Sequence, residues 1–112
     1  MMTLATRTIA AHALRTTTAT QITAVCADTH GGRCAVGVIA EAFGCNVTAW
    51  DVDPYWCVEE LGIRWRRIYQ MNDGAGGQRR TFAEIADYLE QQPVTDPVPD
   101  TIPWNTPLEV SV

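Results

Sequence analysis

Four cysteines and two histidines are the most reactive side chains in this 112-residue chain. Cys26, Cys34, Cys45 and Cys57 include no Cys-x-x-Cys pair, so the strongest zinc spacing is missing. Cys26, His30 and Cys34 are evenly spaced by three intervening residues, and Cys45 or Cys57 could complete four ligands. Such a site needs its thiolates at about 2.3 Å from one ion. Nothing in the spacing forces that, so the expectation is buried, reduced thiols and no metal. A second chemistry would use Cys34 as a nucleophile. It stands where a helix should begin, and a helix N-terminus lowers a thiol pKa. Gln21 could imitate an oxyanion donor, and Asn72 or Asp73 could orient a base. The only candidate bases are His12 and His30, and His30 has no evident orienting partner. The set is incomplete, so the chain is expected not to be an enzyme and to need no cofactor.

The third chemistry is anion binding. Gly74, Gly76 and Gly77 lie beside Arg79, Arg80 and a helix start, and could cradle an anion or sequester a nucleotide across the Gly74–Arg80 loop. The Gly-Lys-Ser/Thr of a P-loop is absent. Every basic side chain other than histidine is arginine, and Arg64, Arg66, Arg67, Arg79 and Arg80 account for five of the eight. After Arg80 there are six acidic residues and no basic one. A net charge of −5 disfavours nucleic acid as a partner. The local arginine patch can still take an anion or an acidic protein, or it is a solvated face paired with Glu59 and Glu60. The absence of lysine is typical of GC-rich coding and points to an actinobacterial kind of source.

These residues need elements to hold them. Apolar spacing predicts helices over 4–15 and 34–43, the second ended by Gly44. Gly37 inside the second helix costs about 1 kcal/mol against alanine, which implies a close backbone approach there. Alternation predicts a strand over 20–27, a turn at 28–32 and a short strand over 46–50 that could pair with the first. Asn46-Val47-Thr48 is a chance sequon in a chain read as intracellular. Asp53, Pro54 and Gly62 punctuate a helix over 53–62. Another follows over about 63–71, with Ile63, Ile68 and Met71 inward. Asn72, Asp73 and Gly74 form a corner in which the two polar side chains accept amides of a neighbouring helix start or fold onto their own turn. Thr81 and Glu84 make a capping box for a last helix whose core stripe is Phe82, Ile85, Ala86 and Leu89.

From Pro93 on, five of the six prolines preclude helix. The chain therefore divides into a compact domain, 1–92, and an extended, acidic, Pro-rich arm, 93–112. Ile102, Trp104 and Leu108 on that arm are apolar anchors for the protein's own core or for a partner. The expected fold is a small, mainly helical α+β domain with about four helices and a short antiparallel β pair. No apolar run reaches the ~20 residues of a membrane helix, and the N-terminus makes a poor secretion signal.

The order "CAVGVIAE", "VEELGI", "MND" and "TFAEIADYLE" resembles a family of small uncharacterised phage and prophage proteins. That family shows a Cys-x-x-Gly-Val helix, a Leu-Asn-Asp turn and a Thr-Phe-x-Glu-Ile-Ala helix. The likeness spans roughly residues 13–90 and is most specific in the last block. Cys34 and Gly37 match the first motif, Asn72 and Asp73 the second, and Phe82, Ile85 and Ala86 the third. Ala35 and Ala40 stand where the family often has further cysteines, which argues against a metal cluster. The resemblance implies a phage source and a compact fold, and brings no reaction with it. The expected function is a non-enzymatic interaction protein. It would bind a host factor in the host cytoplasm or sit as an accessory part of the virion, with a protein partner and self-association as a further option.

Overall fold

The computed structural model describes residues 2–75 and 77–95. The arm beyond Thr95, with Ile102, Trp104 and Leu108, lies outside them. The described elements are α1 (Leu4–Thr16), β1 (Thr20–Gln21), β2 (Gly32–Arg33), α2 (Ala35–Ala42), α3 (Pro54–Glu60), α4 (Trp65–Asp73) and α5 (Phe82–Glu90).

Local chemistry starts and stops most of these helices. Thr3 caps α1 by accepting from the Thr6 amide. Asp53 accepts from the Tyr55 and Trp56 amides ahead of α3, and Pro54 fills the first helical position. Gly74 takes φ +82°, the left-handed conformation that ends α4. At α5 the Thr81 hydroxyl accepts from the Glu84 amide while the Glu84 carboxylate accepts from the Thr81 amide. This reciprocal pair is the predicted capping box.

Helix α2 forms the centre, with Ala35 through Ala40 all buried. It packs against α1, α3 and α4, while α1 makes its most extensive contact with α5. Ile39, Ile68, Ile85, Leu89, Val36 and Val58 are the largest apolar side chains fully removed from solvent. Gly37 has the role its cost implied. A Cβ there would lie 2.3 Å from the Cys26 carbonyl oxygen, so the 26–27 segment crosses α2 at a distance only glycine permits.

Four expectations are corrected. There are five helices among the described residues, not about four. The β pair is parallel, not antiparallel: Thr20 pairs with Gly32 and Gln21 with Arg33. Residues 46–50 form turns, because the Asn46 side-chain oxygen accepts from the Thr48 amide and hydroxyl and so competes with any strand ladder. The strand predicted over 20–27 stops at Gln21, and Ala24 takes φ +74°. Residues 22–31 then carry the chain back for the parallel pairing, with an Asp28 turn accepting from the His30 and Gly32 amides.

Candidate functional site

Asn72 is the one buried polar side chain among the described residues, with no exposed surface. Its Oδ1 accepts from the Gln21 side-chain amide at 2.9 Å and from the Ala35 backbone amide at 3.0 Å. Its Nδ2 donates to the Ile22 carbonyl at 2.7 Å and to the Asp73 carboxylate at 2.9 Å. Ala35 opens α2, so one α4 side chain satisfies an orphan donor of the central helix and at the same time ties down the segment after β1. Asp73 continues the link, accepting from the amide of the left-handed Ala24 at 2.9 Å. Tyr69, one turn earlier, is held above the ordinary phenol range by the Asp73 charge first and by their hydrogen bond second.

Gln21 also donates to the Arg80 carbonyl at 2.7 Å. Both protons of its amide are therefore committed, and neither is offered as an oxyanion donor. The expected helix-start role of the corner falls to Asn72 alone. Asp73 instead holds a strained loop residue, which the sequence does not announce.

Cys34 is fully buried at the N-cap of α2, where its sulfur accepts from the Gly37 amide at 3.4 Å. Its neighbour Cys26 interacts with both Cys34 and Tyr55. The contact with Cys34, followed by burial, pushes the Cys26 thiol up. The same contact draws Cys34 down against the opposing effect of burial. Burial and the Cys26 contact raise Tyr55. Meanwhile His30 is exposed, with its ring 3.4 Å from the Thr29 hydroxyl, and no hydrogen bond joins it to Cys34 among the described residues. The structure thus brings together Gln21 with Asn72 and Asp73, and separately Cys26, Cys34 and Tyr55. Cys45 and Cys57 are half-buried, with sulfurs 3.0 Å apart, so only two of the four thiols meet the expectation of burial. Among the described residues no three side chains are placed to hold a metal.

In the Gly74–Arg80 loop, four amides already have carbonyl partners. Gly74 and Ala75 donate to Gln70, Gly77 to Gly74, and Arg80 to Met71. The Glu84 carboxylate at the start of α5 adds a negative charge where an anion would approach. Arg79 and Arg80 are exposed. Arg64, Arg66 and Arg67 are exposed around the start of α4, and none of them forms a salt bridge among the described residues. The pairing expected with Glu59 and Glu60 is not made. Glu59 accepts instead from the Trp65 indole at 2.9 Å, and the Arg66 guanidinium lies 5.1 Å from the centre of the Trp65 ring. A shallow groove lined by Ile63, Trp65, Gln70 and these three arginines runs along this face. Nearby in sequence, Trp50 is 96% exposed and Trp56 60% exposed.

Together these features define a small, mainly helical α+β domain with a structural hydrogen-bond network at its centre and an arginine- and tryptophan-bearing surface. No protein-family model, no curated protein and no solved structure matches the chain. No helix of the described residues is long and apolar enough to cross a membrane.

Proposed function

We propose that this chain is a non-enzymatic, phage-encoded interaction protein that docks an acidic protein surface through the face formed by the end of α3 and the start of α4. The observation that carries this reading is the state of Arg64, Arg66 and Arg67. They are three exposed guanidinium groups that form no salt bridge among the described residues, on a chain of net charge −5. Arginines clustered around the half-buried Trp65 ring have the composition of an interface hot spot, where arginine and tryptophan are enriched. Trp65 supports the patch by lying under Arg66 and being fixed by Glu59. The phage assignment rests on the motif order from Cys34 to Glu90. A host factor and a neighbouring virion protein both fit an acidic partner.

The commitment of both Gln21 amide protons and of four amides in the Gly74–Arg80 loop favours this reading over a cysteine enzyme or a nucleotide-sequestering loop. The test is photo-crosslinking of the full chain in infected host cells, beside a variant carrying Arg64→Glu, Arg66→Glu and Arg67→Glu. A partner captured by the native chain should fall by about a hundredfold with the variant, since each reversed contact costs on the order of 1 kcal/mol or more. Circular dichroism checks that the variant folds. Equal recovery by the two chains would remove the reading.

A further inference from the structure

Cys45 and Cys57 approach each other from two fixed elements. Cys45 follows Gly44, whose φ of +89° turns the chain out of α2, and its amide is anchored to the Ala40 carbonyl at 3.0 Å. Cys57 lies inside α3, its amide bonded to the Asp53 carbonyl at 3.2 Å. The two sulfurs are 3.0 Å apart. Closing that gap to the ~2.05 Å of a disulfide takes about 1 Å of side-chain motion. The pair is also reachable. Both side chains are half-buried and line a surface depression of about 390 Å³, together with Phe43, Trp56, Glu60 and Leu61. Cys26 and Cys34, by contrast, are buried.

We propose that Cys45 and Cys57 form a redox-active dithiol, oxidised to an intramolecular disulfide by exchange with a low-molecular-weight disulfide of the glutathione type. This does not depend on the docking surface. Exchange begins when either thiol loses its proton; written for Cys57, its sulfur attacks one sulfur of the small disulfide, displacing one small thiolate and leaving a mixed disulfide on Cys57. The Cys45 sulfur, deprotonated in turn, attacks the Cys57 sulfur and displaces the second small thiolate. The two protons lost by the protein end on the two released thiols, so the protein gives up two electrons and the small disulfide takes them. The product ties the end of α2 to α3 across residues 46–53, the turns that carry Trp50.

The test equilibrates the full chain in glutathione buffers of graded potential, quenches in acid, alkylates and maps peptides. The expected result is a mass loss of two hydrogens and a Cys45–Cys57 linked peptide that reverses on reduction, while Cys26 and Cys34 stay as thiols. Cys45→Ser should accumulate glutathione on Cys57. Cys57→Ser should accumulate glutathione on Cys45 in the same way, and neither variant should form the intramolecular link. The wild-type mapping stands whether or not the variants fold. No Cys45–Cys57 peptide in fully oxidised glutathione, or links made only between chains or through Cys26 and Cys34, would overturn the site.

Discussion

Replacing Asn72 with alanine would leave the Ala35 amide and the Ile22 carbonyl without their partner, and would free one proton of Gln21. An unpaired buried polar group costs about 1–3 kcal/mol, so Asn72→Ala is expected to lose about 2–5 kcal/mol. Urea unfolding followed by circular dichroism measures this, and a loss below about 1 kcal/mol would contradict the network described here. Asn72→Asp should also be poorly tolerated, because a carboxylate keeps the acceptor but loses both donated bonds and lies beside Asp73. The corner was partly legible in the sequence, since Asn and Asp before Gly at the end of a helix mark a turn. Which amides the side chains would accept was not legible. Ala35 and Ala24 are 37 and 49 residues away, and only the folded packing of α2 and α4 brings them near.

At the scale of elements, Gly37 makes the sharpest case. Alanine in mid-helix gains about 1 kcal/mol in propensity over glycine, yet its Cβ would sit 2.3 Å from a backbone oxygen. Backbone cannot swing aside as a flexible side chain can, so overpacking should win. Gly37→Ala is expected to destabilise by about 1–3 kcal/mol. Amide exchange checks the cause, because the Cys34 amide, bonded to that same Cys26 carbonyl at 3.0 Å, should lose protection. An unchanged or stabilised variant would show that the crossing segment yields. The helices were readable in advance because their start and stop signals are local: Asp53 with Pro54, Thr81 with Glu84, and Gly74 each act within a turn. The strands were not. Alternation over 20–27 is a weak signal, and Asp73 outcompetes it by holding Ala24 in a left-handed conformation. Parallel pairing over so short a return also runs against the usual need for a crossover of a dozen or more residues.

For the whole molecule, the described chain ends where it begins. Met2 is buried and bridges to Val94, the Thr95 amide donates to the Met2 carbonyl at 3.0 Å, and the Arg7 guanidinium donates to the Gln92 carbonyl at 2.6 Å. Contacts with the N-terminal segment therefore continue through Val94 and Thr95, next to the start of the Pro-rich run at Pro93. A chain ended after Gln91 should melt lower than one ended after Thr95 by roughly 4–8 °C, the shift that about 1 kcal/mol produces in a domain of this size. Identical melting of the two would mean that these terminal bonds contribute nothing. The uneven spread of arginine was plain from composition. That Arg64, Arg66 and Arg67 would form no salt bridge among the described residues was not, because Glu59 turns instead to the Trp65 indole.

The pairing of α1 with α5 has a consequence for synthesis. Leu14, Ala10 and Ala11 on α1 leave the ribosome first, but their most extensive partner is the last described helix. Until residues 82–95 are made, that face lacks its largest partner, so an apolar strip on α1 waits for the last described helix before it is covered.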